Sequence, residues 1–203
     1  MNRFIKQFIL DHEDLIEDNK WDAVYTELFN MYGYSIISEF TATLEKSGIF
    51  PTQFFTRIPA GFHFNDLSLE HEVIPSNIKS IGASSYQWCT NLTTLQIQEG
   101  VEEIEEEAFQ FCTKLDYVEI PSSVKTIYPG AFAASGLKKI KFNEGLQFIH
   151  NRAFINTKLE EVELPESLNG FSNPFPFNCV IKVKKGSGLE QVARSQHYRV
   201  EYI

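Results

Sequence analysis

Residues 91–158, cut into three lines, read NLTTLQIQEGVEEIEEEAFQFCTK (91–114), LDYVEIPSSVKTIYPGAFAASG (115–136) and LKKIKFNEGLQFIHNRAFINTK (137–158). In this register the apolar letters fall into columns. Leu92, Leu115, Leu137 and Leu159 head successive lines at spacings of 23, 22 and 22 residues. Ile97, Ile120, Phe142 and Leu164 follow in phase, then Val101, Val124, Leu146 and Leu168, then Ile104, Ile127 and Ile149. The pair Ala-Phe recurs at Ala108-Phe109, Ala131-Phe132 and Ala153-Phe154. An earlier line, LEHEVIPSNIKSIGASSYQWC, supplies Leu69, Ile74, Ile78, Ile81 and Cys89, with Ser85-Tyr86 in the Ala-Phe position. A unit this short cannot bury its own apolar stripe, so successive units must stack, which is the signature of a solenoid.

The letters of one unit state its geometry. LxxLxI points three apolar side chains inward along a short extended segment, whose hydrogen bonds go to the units above and below. A turn follows at Gln98-Glu99-Gly100, Pro121-Ser122-Ser123, Asn143-Glu144-Gly145 or Pro165-Glu166-Ser167, all turn formers. A second apolar pair, VxxI, crosses back, and the Ala-Phe step inserts a ring between coils.

The pattern LxxIxIPxxVxxIgxxAFxxCxxL resembles the BspA-type leucine-rich repeats of bacteria and their viruses, over about residues 67–171 and five consecutive units. The resemblance implies an α+β leucine-rich-repeat solenoid of about five 22–23-residue units. The ending CVIKVKKGSGLEQVARSQHYRVEYI (172–203 with its approach) is similar to the family's C-terminal cap of strand, short helix and strand. Upstream, 51–66 looks like a linker with a worn half-repeat, Ile58-Pro59 and Ala60-Gly61-Phe62 echoing the later units. The chain departs from the pattern at Glu72, which replaces an apolar residue, and at Ser135 and Thr157, which replace cysteine. Such scaffolds mostly bind other proteins, and the fold names no partner.

Residues 1–50 do not repeat. Phe4, Ile5, Phe8 and Ile9, later Leu15 and Ile16, have helical spacing; Trp21, Val24, Tyr25, Leu28, Phe29 and Tyr32 mark a second helix after Asp18-Asn19. Ile36, Ile37, Phe40 and Leu44 mark a third, from an N-cap at Ser35 to Gly48 before Pro51. These helices cap the open solenoid end, or alternatively form a recognition head. The net charge of −9 argues against a phosphate backbone as direct partner. No stretch reads as a membrane span or a secretory leader. Three cysteines make no complete disulfide framework. The expected setting is the cytoplasm of a bacterium or an infected bacterial host.

Catalytic signals are sparse. The five histidines, 12, 63, 71, 150 and 197, lack zinc-helix spacing. Cys89 and Cys112 share one phase and, like Cys179, read as buried small hydrophobes. No nucleophile stands beside a base at a recognisable spacing, and no metal, cofactor or enzyme activity is expected. The outward positions of LxxLxI are Thr94, Gln96, Tyr117, Glu119, Lys139, Lys141, Glu161 and Glu163. They predict ladders Glu119–Lys141–Glu163 and Lys139–Glu161 on a flat face with Tyr117 as its aromatic anchor. Glu99, Glu102, Glu103, Glu105, Glu106 and Glu107 form an acidic stretch at outward positions of one unit, with Lys125 expected beside Glu102. The cap is basic at Lys182, Lys184, Lys185, Arg194 and Arg199, which suggests weak head-to-tail self-association. The first functional reading is a non-catalytic module that grips a protein through its sheet face and N-terminal helices. The alternatives are an acidic, phage-encoded inhibitor of a nucleic-acid-binding or defence protein, and a structural or adhesion protein of a virion or cell surface.

Overall fold

A computed structural model describes residues 3–12, 20–33, 37, 40, 41 and 56–203. Each repeat lays down one strand on each of two faces. The shorter legs, β1 (Arg57–Ile58), β3 (Ser80–Ile81), β5 (Glu103–Ile104), β7 (Thr126–Ile127), β9 (Phe148–Ile149) and β11 (Gly170–Phe171), make one continuous parallel sheet in that order. Its register places Ile58, Ile81, Ile104, Ile127, Ile149 and Phe171 in a single buried column. The longer legs are β2 (His71–Ile74), β4 (Thr94–Ile97), β6 (Tyr117–Ile120), β8 (Lys139–Phe142), β10 (Glu161–Glu163) and β12 (Val180–Val183). They pair in parallel only as β2-β4, β6-β8 and β10-β12, the last pair extended by β13 (Arg199–Tyr202) of the C-terminal end.

The Ala-Phe step closes the third side of the coil and carries the centre of the core. His63, Tyr86, Phe109, Phe132, Phe154 and Phe175 stack with centroid separations of 5.4, 5.0, 5.1, 5.4 and 5.4 Å. The separation is close to the strand spacing of about 4.8 Å and lies inside the range for stacked rings, so one column satisfies both. The ring residue's N–H donates to the alanine carbonyl one coil on: Tyr86 to Ala108 at 2.8 Å, Phe109 to Ala131 at 2.7 Å, Phe132 to Ala153 at 2.7 Å. Ala108, Ala131 and Ala153 are fully buried beside the rings, and residues larger than serine take this position only in the end coils, at Phe62 and Pro174.

This register corrects the expected half-repeat by one residue. His63 N–H donates to Ser85, so His63 holds the ring position and Phe62 the alanine position. Residues 56–66 also contribute β1, so they continue the stack rather than link to it, and the repeats run beyond the expected 67–171.

Two positions per coil take left-handed backbone. One holds Ser84, Glu107, Gly130 and Arg152 (φ 53, 57, 66 and 59°), the other Asn65, Trp88, Phe111, Ala134 and Asn156 (φ 57, 66, 61, 54 and 58°). This conformation costs a non-glycine residue about 1–2 kcal/mol. Inter-coil bonds offset the cost, among them Ser84 N–H to Glu106 at 2.9 Å and Trp88 N–H to Gln110 at 2.9 Å.

The departures from the repeat are compensated in pairs. Tyr86 brings a hydroxyl into the core, and that hydroxyl donates to Glu72 at 3.3 Å. Cys89 and Cys112 donate their thiols to the carbonyls of His63 and Tyr86 one coil earlier, at 3.0 and 3.2 Å. Thr157 bonds to the Phe154 carbonyl at 2.8 Å. Ser135, in the cysteine phase, has a buried hydroxyl without a partner.

At the first end, α1 (Arg3–Asp11), α2 (Trp21–Tyr32) and the helical residues Ile37, Phe40 and Thr41 share a core with Ile58 and Phe62. Tyr25 sits 5.7 Å from the Phe62 ring and 5.5 Å from Phe40, with its hydroxyl 2.9 Å from Thr41 Oγ1. Leu15, Ile16, Ser35, Ile36, Leu44 and Gly48 lie outside the described residues, as do the bounds of the third helix. At the other end α3 (Gly188–Ser195) leads to β13 (Arg199–Tyr202), parallel to β12. Ser187 caps α3 by accepting from Glu190 N–H at 3.2 Å, while Glu190 accepts from the N–H of Gly186, one residue before the cap, at 2.8 Å, a variant of the capping box.

Two predictions follow from this packing. A Cβ on Gly145 (φ 122°) would collide with the Ser122 carbonyl oxygen of the preceding coil, whereas one on Gly186 (φ 79°) would meet nothing. Gly145→Ala is expected to destabilise by about 3 kcal/mol or more, and Gly186→Ala by only about 1 kcal/mol, in urea unfolding. Ser135→Cys, which replaces an unpartnered hydroxyl by the thiol used in two other coils, should stabilise by about 1 kcal/mol and raise Tm.

Candidate interaction face

All eight predicted face residues are exposed, but they stand on three separate plates. Thr94 and Gln96 lie on β4 opposite His71 and Val73. Tyr117 and Glu119 on β6 stand opposite Lys139 and Lys141 on β8. Glu161 and Glu163 on β10 stand opposite Val180 and Lys182 on β12. The Glu119–Lys141 rung forms at 2.8 Å, and Asn143 adds a bond to Glu119 at 2.9 Å. The bonds from Asn143 and Lys141 hold the Glu119 carboxyl below its ordinary value.

The expected ladder stops there. Strands β8 and β10 are not hydrogen-bonded to each other, and Glu161 takes Lys182 at 2.8 Å instead of Lys139. Among the described residues, Glu163 and Lys139 form no ion pair. A shallow groove of about 980 Å³ runs across this break, lined by Tyr117, Lys139, Lys141, Glu161, Glu163 and Lys182. Tyr117, 46% exposed, stands on its border.

At each break between plates a carboxylate clamp replaces the strand ladder. Between β4 and β6, Glu99 accepts from the N–H groups of Ser122 and Ser123, each at 3.0 Å. Ser123 Oγ accepts from Gly100 N–H at 2.9 Å and donates to the Val101 carbonyl at 2.7 Å. Between β8 and β10 the same set recurs. Glu144 accepts from Glu166 and Ser167 N–H, each at 3.0 Å, and Ser167 Oγ joins Gly145 N–H to the Leu146 carbonyl at 2.8 and 2.9 Å. The signal was present in the sequence: Glu-Gly turns alternate with Pro-x-Ser turns, a two-unit period that single-unit columns do not reveal.

The acidic stretch therefore does not form one acidic surface. Glu105 holds Arg57 through bonds of 3.1 and 2.6 Å and also accepts from Ala83 N–H at 3.1 Å. Glu103 accepts from Tyr128 at 3.3 Å, Glu107 from Gln87 at 3.0 Å, and Glu102 pairs with Lys79 at 3.3 Å. Of the six, Glu106 alone has no side-chain partner among the described residues. Lys125 does not neutralise Glu102. Its ammonium reaches the carbonyl of Ser122 in its own coil at 3.3 Å and that of Gly145 in the next at 3.4 Å; Lys79, one coil earlier, finds Glu102, whereas the residue in that register after Lys125 is Gln147.

The basic cap is likewise taken up within the chain. Lys182 pairs with Glu161, Lys184 with Glu166, Arg194 with Glu190 at 3.0 Å and Arg199 with Glu201 at 3.0 Å, and Lys185 lies 5.7 Å over the Tyr202 ring. Burial pushes the Cys89 thiol up to about 12 and Cys112 well above its ordinary value, so both stay protonated rather than nucleophilic. No described helix is long and apolar enough to cross a membrane.

The model of the BspA type leucine-rich repeat region matches residues 56–182 in six copies. The chain belongs to that family. The match begins about half a coil before the expected 67–171, at the residues that carry β1, and ends in β12, and six copies replace the expected five. The repeats are similar to a leucine-rich cell surface protein of Faecalibacterium prausnitzii (26% identity, TM-score 0.52, 63% of this chain and 36% of that one). They are similar to the pneumococcal vaccine antigen PcpA (28%, 0.55, 64% and 36%) and to a leucine-rich repeat protein of Bacteroides ovatus (28%, 0.55, 63% and 35%). The matched region spans about a third of each of those chains. No curated protein matches this chain by sequence.

The clamps make acid sensitivity predictable. For Glu99, burial pushes the carboxyl up, but the bonds from Ser122 and Ser123 outweigh it; for Glu144 the bond from Glu166 N–H is the largest influence, and both carboxyls lie below the ordinary 4.5. A depressed folded-state value gives stability above about pH 4.5 that is lost as pH falls through the lower folded values. Glu99→Gln/Glu144→Gln should therefore be less stable than the parent at pH 7, with the difference narrowing by pH 3 in urea titrations.

Proposed function

We propose that this chain is a non-catalytic module that binds another protein across the β6–β8–β10 face. Tyr117 carries the reading. It is an exposed aromatic at the border of a groove lined by charges of both signs, which is the chemistry of a protein interface with an aromatic anchor and polar rim. The strands beneath are held by stacked rings and carboxylate clamps, so little ordering cost accompanies binding. The N-terminal helices supply a second surface, with Met31 55% and Tyr32 40% exposed on α2.

A surface role is the second reading, favoured by the cell surface protein and the vaccine antigen that the repeats resemble. The same face serves in either place, the cytoplasm that three free thiols favour or a cell surface. The inhibitor reading has no comparable support, because five of the six glutamates in its acidic stretch bind neighbouring coils and leave only Glu106 without a side-chain partner among the described residues.

A photo-crosslinking amino acid at position 117, 139 or 161 tests the proposal against one at Phe148, which is exposed on the other sheet. Crosslinks to one host protein from the first three, and a loss of affinity for it of at least about tenfold in Tyr117→Ala, are expected. Equal capture from position 148, or none from the face, would overturn the reading.

A further inference from the structure

The outer left-handed column, Asn65, Trp88, Phe111, Ala134 and Asn156, runs down a different side of the solenoid from the strand faces. Trp88 and Phe111 stack there at 4.0 Å with an 18° tilt. Phe111 thus presents its other face to the next coil, where the column holds only Ala134. Beyond Ala134 the column resumes with Asn156, two coils from Phe111 and so about 10 Å away at the strand spacing. A half-open hollow of about 520 Å³ lies beside this gap, with Phe111, Ala134 and Asn156 lining one side and Ser84, Glu107, Gly130 and Arg152 of the other left-handed column lining the opposite side.

The rim is polar. Among the described residues, the side chains of Glu106, Asn151, Arg152 and Asn156 have no hydrogen-bond partner, and Gln110 uses only its carbonyl oxygen, toward Gln87. All five border the hollow. They offer donors and acceptors around the edge of the vacant ring level, while Phe111 offers an apolar face above it.

We propose that this hollow binds a saccharide ring, in the place where the aromatic column omits a side chain. A pyranose is one coil thick. Its C–H face suits the negative face of the Phe111 ring, and its hydroxyls lie around its edge, where the amides, the guanidinium and the carboxylate stand. An aromatic side chain of a protein partner would fill the level but bring at most one hydroxyl or indole N–H to its edge, which would desolvate most of those groups without bonding them.

The full chain, titrated calorimetrically with the neutral tetrasaccharides of glucose (β- and α-linked), N-acetylglucosamine and mannose, decides the matter. At least one is expected to bind at a single site and change Trp88 fluorescence. Phe111→Ala should weaken it by at least about tenfold. Ala134→Phe should abolish binding without lowering Tm, because Trp88 and Phe111 hold aromatic side chains at the same backbone conformation. The proposal is overturned if no saccharide binds, if binding survives both substitutions, or if N-acetyltryptophanamide binds at Phe111 and no saccharide does. Neither substitution touches the β6–β8–β10 face, so the outcome is independent of protein binding there.

Discussion

The height of one coil governs this molecule. Parallel strands repeat at about 4.8 Å, and the buried rings from His63 to Phe175 repeat at 5.0–5.4 Å, so hydrogen bonds and aromatic stacking share one spacing. Any residue that cannot keep that height is excluded from the wall. This is why alanine precedes the ring in the central coils, why Gly100 and Gly145 stand where a Cβ would strike the carbonyls of Ser76 and Ser122, and why bulky residues such as Trp88 and Phe111 accept left-handed backbone. The cost at each such residue is small beside the coil-to-coil bonds that the conformation permits.

The coils are fastened in two ways, and the alternation shapes the surface. The short legs form an unbroken sheet of six strands. The long legs pair two by two, and at the breaks after β4 and β8 a glutamate reaches across to the turn of the next coil. A clamp at the turn fixes the spacing of the coils without requiring the strands themselves to pair, which leaves the face divided into plates. The groove beside Tyr117 lies over the second break. Glu119 pairs with Lys141 and Glu161 with Lys182, each within its own plate, so among the described residues the groove offers Lys139, Lys158, Glu160 and Glu163 without an internal ion pair.

Most of the fold was legible because solenoid contacts are nearly local in sequence. Columns of Leu, Ile, Val and Phe at 22–23 residues predicted strands, turns, ring column and cap. The reading failed by one residue at Phe62 because His63, a polar letter, takes a ring position that only the hydrogen-bond register reveals. It also failed to see Glu99 and Glu144 as clamps, since a glutamate in a turn looks like solvated charge until the N–H groups it accepts from are located. Glu72 looked like a defect for the same reason, its partner being a hydroxyl on Tyr86 fourteen residues on.

The sequence by itself determined the period, and with it which side chains face inward, because apolar burial at a fixed interval admits few other arrangements. It also determined the family and the absence of a continuous acidic motif at 99–107, where the core letters interrupt the glutamates. Tertiary structure alone decided which strands pair and where the long-leg sheet breaks, because those choices depend on how each coil sits on the next. It decided as well that Lys125 points away from Glu102, that Lys139 and Glu161 do not meet, and that a hollow opens beside Phe111 and Ala134. A side chain's direction is set by the coil it leans on, and that neighbour is fixed only when the stack is built.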